Sequence, residues 1–266
     1  MKSLAILLRR FIYKSLHGLD NLIGRKTQLA ILCYHSISDN EWRFSISFRE
    51  FKKQIDYLAK HYDFVSLEEV ENIIANKRKL NKPSIAITFD DGYKDLITTK
   101  QILENYNIKP TLFVLSHPDG ANREELGTQK ELMMDLDLLE LTQFGCTIGS
   151  HTATHSNLAT LDAEQIEAEI VGSKQKLEDE LQMDINYIAY PRGKYNDRVI
   201  EAVQKAGYHM GLTMDDDTVS TATDPLRVPR IGVDKTHSFE EFKTIMSPSC
   251  IAFRRFIKNS FLGTYL

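Results

Sequence analysis

The sequence predicts an α/β protein whose mostly parallel strands curl into a barrel. Two observations carry that expectation. Short apolar runs of strand length alternate with stretches of helical period, the arrangement that builds parallel βα units. The polar residues best suited to chemistry then fall at the carboxyl ends of those runs, where such folds keep their sites. A chain of 266 residues suits one barrel.

The strand candidates are Leu29–Tyr34, Ser84–Phe89, Thr111–Leu115, Cys146–Ser150, Tyr187–Tyr190, His209–Thr213 and Leu226–Val233. Each is rich in Ile, Val, Leu or aromatic side chains, and about seven strands favour closure over an open sheet. Between them, Phe48–Lys60 carries Phe51, Ile55 and Leu58 at helical spacing, and Leu67–Asn76 and Asp95–Tyr106 read likewise. The longest helical stretch, Asp162–Gln182, lines up Ile166, Ile170, Leu177 and Leu181. Thr160 is its predicted N-cap, with Asp162 and Glu164 at the positive end. No repeat, low-complexity tract or linker rich in Pro, Gly or Ser interrupts the chain. It therefore divides into a helix at 1–26, a barrel at 27–250 and a basic, aromatic tail at 251–266.

Composition excludes several classes. A net charge of −4 gives none of the excess positive charge that a nucleic-acid binder uses, so no nucleic-acid partner is expected. Cys33, Cys146 and Cys250 match neither a zinc ribbon nor a disulfide framework and are expected to be reduced and buried. No apolar run approaches the ~18–20 residues of a spanning helix. The run Leu4–Leu8 falls short of the ~7–15 residues of a signal-peptide core and ends at Arg9-Arg10. At the helical repeat, Leu4, Leu8, Phe11, Leu19 and Leu22 share one face, with Lys2, Arg9, Arg10, Lys14 and His17 opposite. Such a helix lies on an anionic membrane surface or packs its stripe on the domain. The basic tail, with Arg254, Arg255 and Lys258, adds to the first reading. The expected location is cytoplasmic, peripheral to the membrane if the helix lies on its surface; a surface-polymer enzyme exported by an atypical route is the alternative.

Two motifs point to a metal-assisted reaction. In Thr88-Phe89-Asp90-Asp91-Gly92, adjacent carboxylates follow an apolar strand. They repel each other, and burying both calls for a compensating cation, although Asp-Gly alone is ordinary turn chemistry. Neighbouring side chains in an extended segment diverge, so one carboxylate can bind a metal while the other takes a proton. In His151-Thr152-Ala153-Thr154-His155, the two imidazoles converge on one cation if the segment turns helically. Imidazole with carboxylate suits zinc or a similar transition metal, and three protein ligands leave a position open. His35, after Leu29–Tyr34, adds a third strand end; alone it reads equally as a hydrogen-bonded core histidine.

Thr-Phe-Asp-Asp-Gly followed some sixty residues later by His-Thr-x-x-His resembles the polysaccharide deacetylase family, carbohydrate esterase family 4. The resemblance spans roughly residues 28–247. It implies a distorted (β/α)7-type barrel and one divalent metal ion, zinc first among candidates. It also implies hydrolysis of an N-acetyl group on an amino sugar, in a polysaccharide or a lipid-linked glycan. By that resemblance Asp90 is the general base, and Asp91, His151 and His155 are the metal ligands. Tyr190, Pro191 and Arg192, in Ala189-Tyr190-Pro191-Arg192-Gly193, line the substrate groove, and the Arg192 backbone N–H serves the oxyanion. Two departures stand out. Ala189 occupies the position where the family usually has an arginine, and no Leu-x-Leu-His-Asp-like segment ends the chain; His237 instead looks like part of a helix start. Ile31-Leu32-Cys33-Tyr34-His35-Ser36-Ile37, however, is similar to the opening strand of the circularly permuted branch, which includes poly-β-1,6-N-acetylglucosamine deacetylases. That makes His35 the general acid. Leu226–Asp234 lies where the family's fourth motif falls and offers Arg227, Arg230 and Asp234 without distinguishing among them.

Two other classes compete. A catalytically inactive carbohydrate-binding barrel predicts missing ligands, and none is missing. A two-metal phosphoesterase needs further carboxylate or imidazole ligands, and none is arranged for that.

Overall fold

The computed structural model describes residues 2–122, 126, 130–258 and 260. The strands of its main sheet are β1 (Leu29–Tyr34), β2 (Ser84–Phe89), β3 (Thr111–Val114), β4 (Thr147–Ser150), β5 (Tyr187–Ala189), β6 (Met210–Leu212) and β7 (Ile231–Gly232); Ser36–Ile37 and Ser45–Ile46 form a separate parallel pair. Strands β1 to β7 pair in parallel in the order β7-β1-β2-β3-β4-β5-β6, and the short strand Asp63–Phe64 also pairs with β2. The helices among the described residues are α1 (Lys2–Leu22), α2 (Phe48–His61), α3 (Leu67–Ala75), α4 (Lys100–Asn105), α5 (Asp135–Gln143), α6 (Ala163–Glu167), α7 (Ser173–Leu181), α8 (Asp197–Lys205), α9 (Phe239–Phe242) and α10 (Pro248–Lys258).

One segment closes the barrel by changing partners. Val228 pairs with Leu212 of β6, donating to the Gly211 carbonyl while Thr213 donates to its own. Three residues later Ile231 and Gly232 pair with Leu32 and Cys33 of β1. Pro229, which has no N–H to offer a ladder, stands at the change-over. The eight-residue strand expected at Leu226–Val233 is therefore reduced to β7, because no single neighbour runs along its whole length.

Side-chain alternation then divides the core. Leu29 and Ile31 of β1 join Ala86, Phe113, Ala189 and Leu212 in an inner cluster, to which α3 adds Leu67, Val70, Ile73 and Ile74. Ala30, Leu32 and Tyr34 belong to the outer cluster under the surrounding helices, with Phe51, Ile55 and Leu58 of α2. Both faces of β1 and β2 are buried throughout, as parallel strands require. Cys33 and His35 continue the inner parity of β1; Thr88 and Asp90 continue that of β2.

Several local expectations are corrected. The N-cap of α6 is Asp162, whose carboxylate accepts the Gln165 N–H in a capping box; Thr160 ends a preceding 3-10 turn and donates its hydroxyl to the Asn157 carbonyl. The long stretch to Gln182 is interrupted by a π-helical turn at Ala168–Gly172. The three cysteines, by contrast, are buried and unbridged as expected. The C-terminal helix α10 starts at Pro248, and its Arg254 and Arg255 pair with Asp216 and Asp217 of the barrel. Residues 259 and 261–266 of the predicted tail lie outside the described residues.

Helix α1 docks by the opposite face from the predicted stripe. Tyr13 and Asp20 are buried, and the Asp20 carboxylate accepts the N–H and hydroxyl of Ser249 at the start of α10. Arg9 and Arg10, placed opposite the stripe by the helical repeat, both reach Glu241 at 2.9 and 3.0 Å. Leu8, Phe11, Leu19 and Leu22 are exposed. The Leu4 side chain lies outside the described part.

Candidate active site

Asp90 and Asp91 leave β2 in different directions, though not because the backbone stays extended. Asp91 has φ +71° and Gly92 φ +73°, a left-handed turn right after the strand. Asp90 points to the closing segment. Arg230, completely buried, grips it as a fork: Nη1 to Oδ1 at 2.6 Å and Nη2 to Oδ2 at 2.7 Å. The guanidinium is itself fixed by the Thr88 hydroxyl oxygen at 3.1 Å and the Thr213 carbonyl at 3.2 Å. The Cys33 thiol donates to Asp90 Oδ2 at 3.3 Å. Burial pushes Asp90 up, but the Arg230 charge, helped by His151, outweighs it and holds the carboxyl well below the usual range.

Asp91 faces two imidazoles. Its Oδ1 lies 3.5 Å from His151 Nε2 and 3.4 Å from His155 Nε2, and the three donor atoms all fall within 4.8 Å of one another. The expected helical turn is absent. Thr152 (φ +70°) and His155 (φ +66°) are both left-handed, which folds the segment back on itself. Glu169, in the π-helical turn, pins this loop: its carboxylate accepts the N–H groups of Ala153 and Thr154 and the Thr154 hydroxyl. His151 Nδ1–H donates to the Ala189 carbonyl at 2.8 Å, which turns Nε2 toward Asp91.

This donor set fits a divalent ion. Asp91 Oδ1 is buried with no hydrogen-bond partner, which is costly unless a cation stands beside it. Ligands ~2.1 Å from a tetrahedral zinc lie about 3.4 Å apart, the spacing seen here. Burial, reinforced by the Asp90 charge, pushes Asp91 up to about 8. Burial, then the charges of His151 and Arg192, pulls His155 down to about 2, and burial also lowers His151. Both imidazoles are therefore neutral near pH 7, as metal ligands must be.

His35 completes the mouth. A ring nitrogen lies within 4.8 Å of an Asp90 oxygen and of the Cys33 sulfur. Its ring stacks on Phe44 at 4.9 Å and meets the Trp42 edge at 5.8 Å. Its Nδ1 is buried without a partner, and burial pulls its pKa down to about 4 against the pull of Asp90.

Other candidates fall elsewhere. Tyr190 is fully buried and donates its hydroxyl to the Leu226 carbonyl, so the expectation that its side chain lines a groove is corrected. Pro191 is buried beneath the turn, while Arg192, with φ +55°, is exposed and near enough to His155 for its charge to be felt there. Gly193 follows at φ +63°, where an added Cβ would lie 2.7 Å from that of Met214. Of the fourth-motif trio, Arg230 reaches the site. Arg227 pairs at the surface with Asp224 and Asp197; Asp234 is held by Arg43 and Thr236. His237 bonds to Arg254 and takes no part. Sequence reasoning missed Cys33, Glu169 and the aromatic wall of Trp42 and Phe44; only the strand parity of Cys33 pointed toward the site.

A polysaccharide deacetylase family model matches residues 77–211, which include Asp90, Asp91, His151, His155 and Pro191. The chain belongs to the polysaccharide deacetylase family, a class of hydrolases. YxkH of Bacillus subtilis, named for the same family, is 29% identical over 198 residues, 74% of this chain and 68% of YxkH. The poly-β-1,6-N-acetyl-D-glucosamine N-deacetylase of Staphylococcus epidermidis is 29% identical over 219 residues, 76% of this chain and 71% of that protein. Among solved structures, the Streptococcus pyogenes deacetylase PplD, in complex with acetate, superposes with a TM-score of 0.71 at 26% identity, covering 84% of this chain and all of PplD. His35 and Arg230 both lie outside the 77–211 match.

Proposed function

We propose that this protein removes acetyl groups from the nitrogen of N-acetylglucosamine units in a glycan, using one divalent ion, zinc first, held by Asp91, His151 and His155. The observation that carries the reading is the meeting, at one barrel mouth, of that ligand set with an arginine-fixed carboxylate and a partnerless histidine. A binding barrel without catalysis has no need of Asp90 clamped by Arg230. The relatives named as N-deacetylases and the acetate held by PplD support the chemistry.

The ion, when bound, would polarise the amide carbonyl and make water a better nucleophile near neutral pH. Asp90 accepts the proton of the attacking water; the Arg230 fork keeps it ionised and aimed. The backbone N–H of Arg192, a residue of the third-motif turn whose charge is felt at His155, is assigned to the developing oxyanion by the family resemblance. His35 gives a proton to the departing amine, which is a poor leaving group unprotonated. With the free histidine pulled down to about 4, its protonated form has to be favoured by the negative charge of the tetrahedral intermediate.

His35→Gln is therefore expected to lose ~10²–10⁴-fold in rate on an N-acetyl substrate and far less on an activated aryl acetate, whose leaving group needs no proton. Equal losses on the two would remove His35 from the acid role. The function itself is tested by acetate release from N-acetylated β-1,6-linked and β-1,4-linked glucosamine oligomers, free and lipid-linked. Metal-dependent release from at least the β-1,6 series is expected; no release from any would overturn the proposal.

A further inference from the structure

Helix α1 presents an apolar ridge to solvent. Leu7, Leu8, Phe11, Leu19 and Leu22, with Ile23 just beyond, are between 51% and 84% exposed. A contiguous patch of such large side chains marks an interaction surface. Beside it, between α1, α2 and the start of α10, runs a cleft of about 250 Å³. Its ionisable lining includes His17, Arg25, Lys26, His61 and Lys243, and no carboxylate. The adjoining hollow adds Arg10 and Lys14; the two carboxylates there are engaged, Glu241 by Arg9 and Arg10 and Glu240 by Lys243. Arg25 and Lys26 are exposed, the Arg25 charge being felt at the buried Asp20 carboxylate. His17, which lines both hollows, has a buried Nδ1 with no partner.

We propose that this face docks on a bilayer containing anionic phospholipids, the ridge entering the acyl boundary and the cleft taking a headgroup phosphate. Helix α1 is not apolar enough to cross a membrane, and an amphipathic helix of this kind lies in the interface plane. Charge complementarity selects the occupant. Lys14 is exposed on the flank of the ridge rather than opposite it, and Arg25 and Lys26 follow Leu22 and Ile23 at its end; apolar side chains beside these cations suit a surface of acyl chains beneath phosphates. A second copy, meeting this face about a two-fold axis, would set those like charges against one another.

Flotation of the full chain with vesicles tests this. The protein should float with phosphatidylglycerol-containing vesicles and weakly with pure phosphatidylcholine. Each basic residue near an anionic surface raises partitioning roughly five-fold, so R25Q/K26Q/K243Q should weaken binding on the order of a hundred-fold. F11E/L22E should abolish it, and both variants should keep the wild-type thermal unfolding and circular dichroism. Failure of the wild type to float, equal flotation of wild type and variants, or a dimer that F11E/L22E splits without any vesicle binding would each overturn the proposal.

Discussion

Asp90→Asn is expected to cut acetate release by ~10²–10⁴-fold while the protein still binds its metal. The amide has the shape of the carboxyl but cannot take a proton from water. It can still accept from one arm of the Arg230 fork, so the barrel mouth keeps its outline. It cannot neutralise the guanidinium, and a buried charge deprived of its partner typically costs ~3–5 kcal/mol. The variant should therefore unfold at lower temperature, and the assay belongs well below that transition. Metal content equal to wild type separates lost base chemistry from lost ligands, because Asp91, His151 and His155 are untouched. Near-normal acetate release from a metal-loaded variant would remove Asp90 from the base role.

Arg230→Met is expected to have a comparable effect by a different route. Arg230 supplies the largest of the interactions that lower Asp90. Without it, burial dominates and the carboxyl moves up, so the acid limb of the rate profile should shift to higher pH. Arg230→Lys keeps the charge but not the two-pronged grip, and should fall between wild type and the Met variant. Stability carries the same signature with a definite sign. Asp90 is depressed in the folded chain, so its ionic contribution is fully present above the unfolded carboxyl value, ~3.9. It is lost as pH falls from there through the folded value. The difference in unfolding free energy between wild type and Arg230→Met should be largest near neutrality and shrink below about pH 4. A difference that stays constant across that range, with an unshifted rate profile, would show that Arg230 only fills space.

The strands that were legible in the sequence are those buried on both faces. Leu29–Tyr34 and Ser84–Phe89 run at the predicted bounds because unbroken apolar runs have no other stable placement. The meeting of Asp91, His151 and His155 in one cluster was legible for a different reason. Asp90-Asp91 and His151…His155 are electrostatically implausible as a pair of accidents so close to strand ends. The shape of the second motif was not legible, because its curl depends on two left-handed residues and on Glu169 from a distant turn.

Arg230 shows where local reading stops. The family's usual arginine precedes the third-motif proline, where this chain has Ala189, yet Asp90 still has a guanidinium partner. It arrives from a segment 140 positions away, delivered by a barrel closure that changes partners at Pro229. Arg227 and Arg230 look equivalent along the chain; only the closure turns one inward. Helix α1 makes the same point: its stripe was visible, but its docking is decided by Tyr13, Asp20 and the Glu241 contacts of Arg9 and Arg10, all involving residues more than 200 positions on.

The most direct test of the central claim is a metal titration of the stripped protein, following acetate release from a β-1,6-linked N-acetylglucosamine oligomer. Activity should be absent without metal and rise in proportion to added zinc until one equivalent is bound. Asp91→Ala, treated alike, should bind none tightly and stay inactive. Full acetate release by the stripped protein, or a titration that needs two equivalents, would contradict a single ion held by Asp91, His151 and His155.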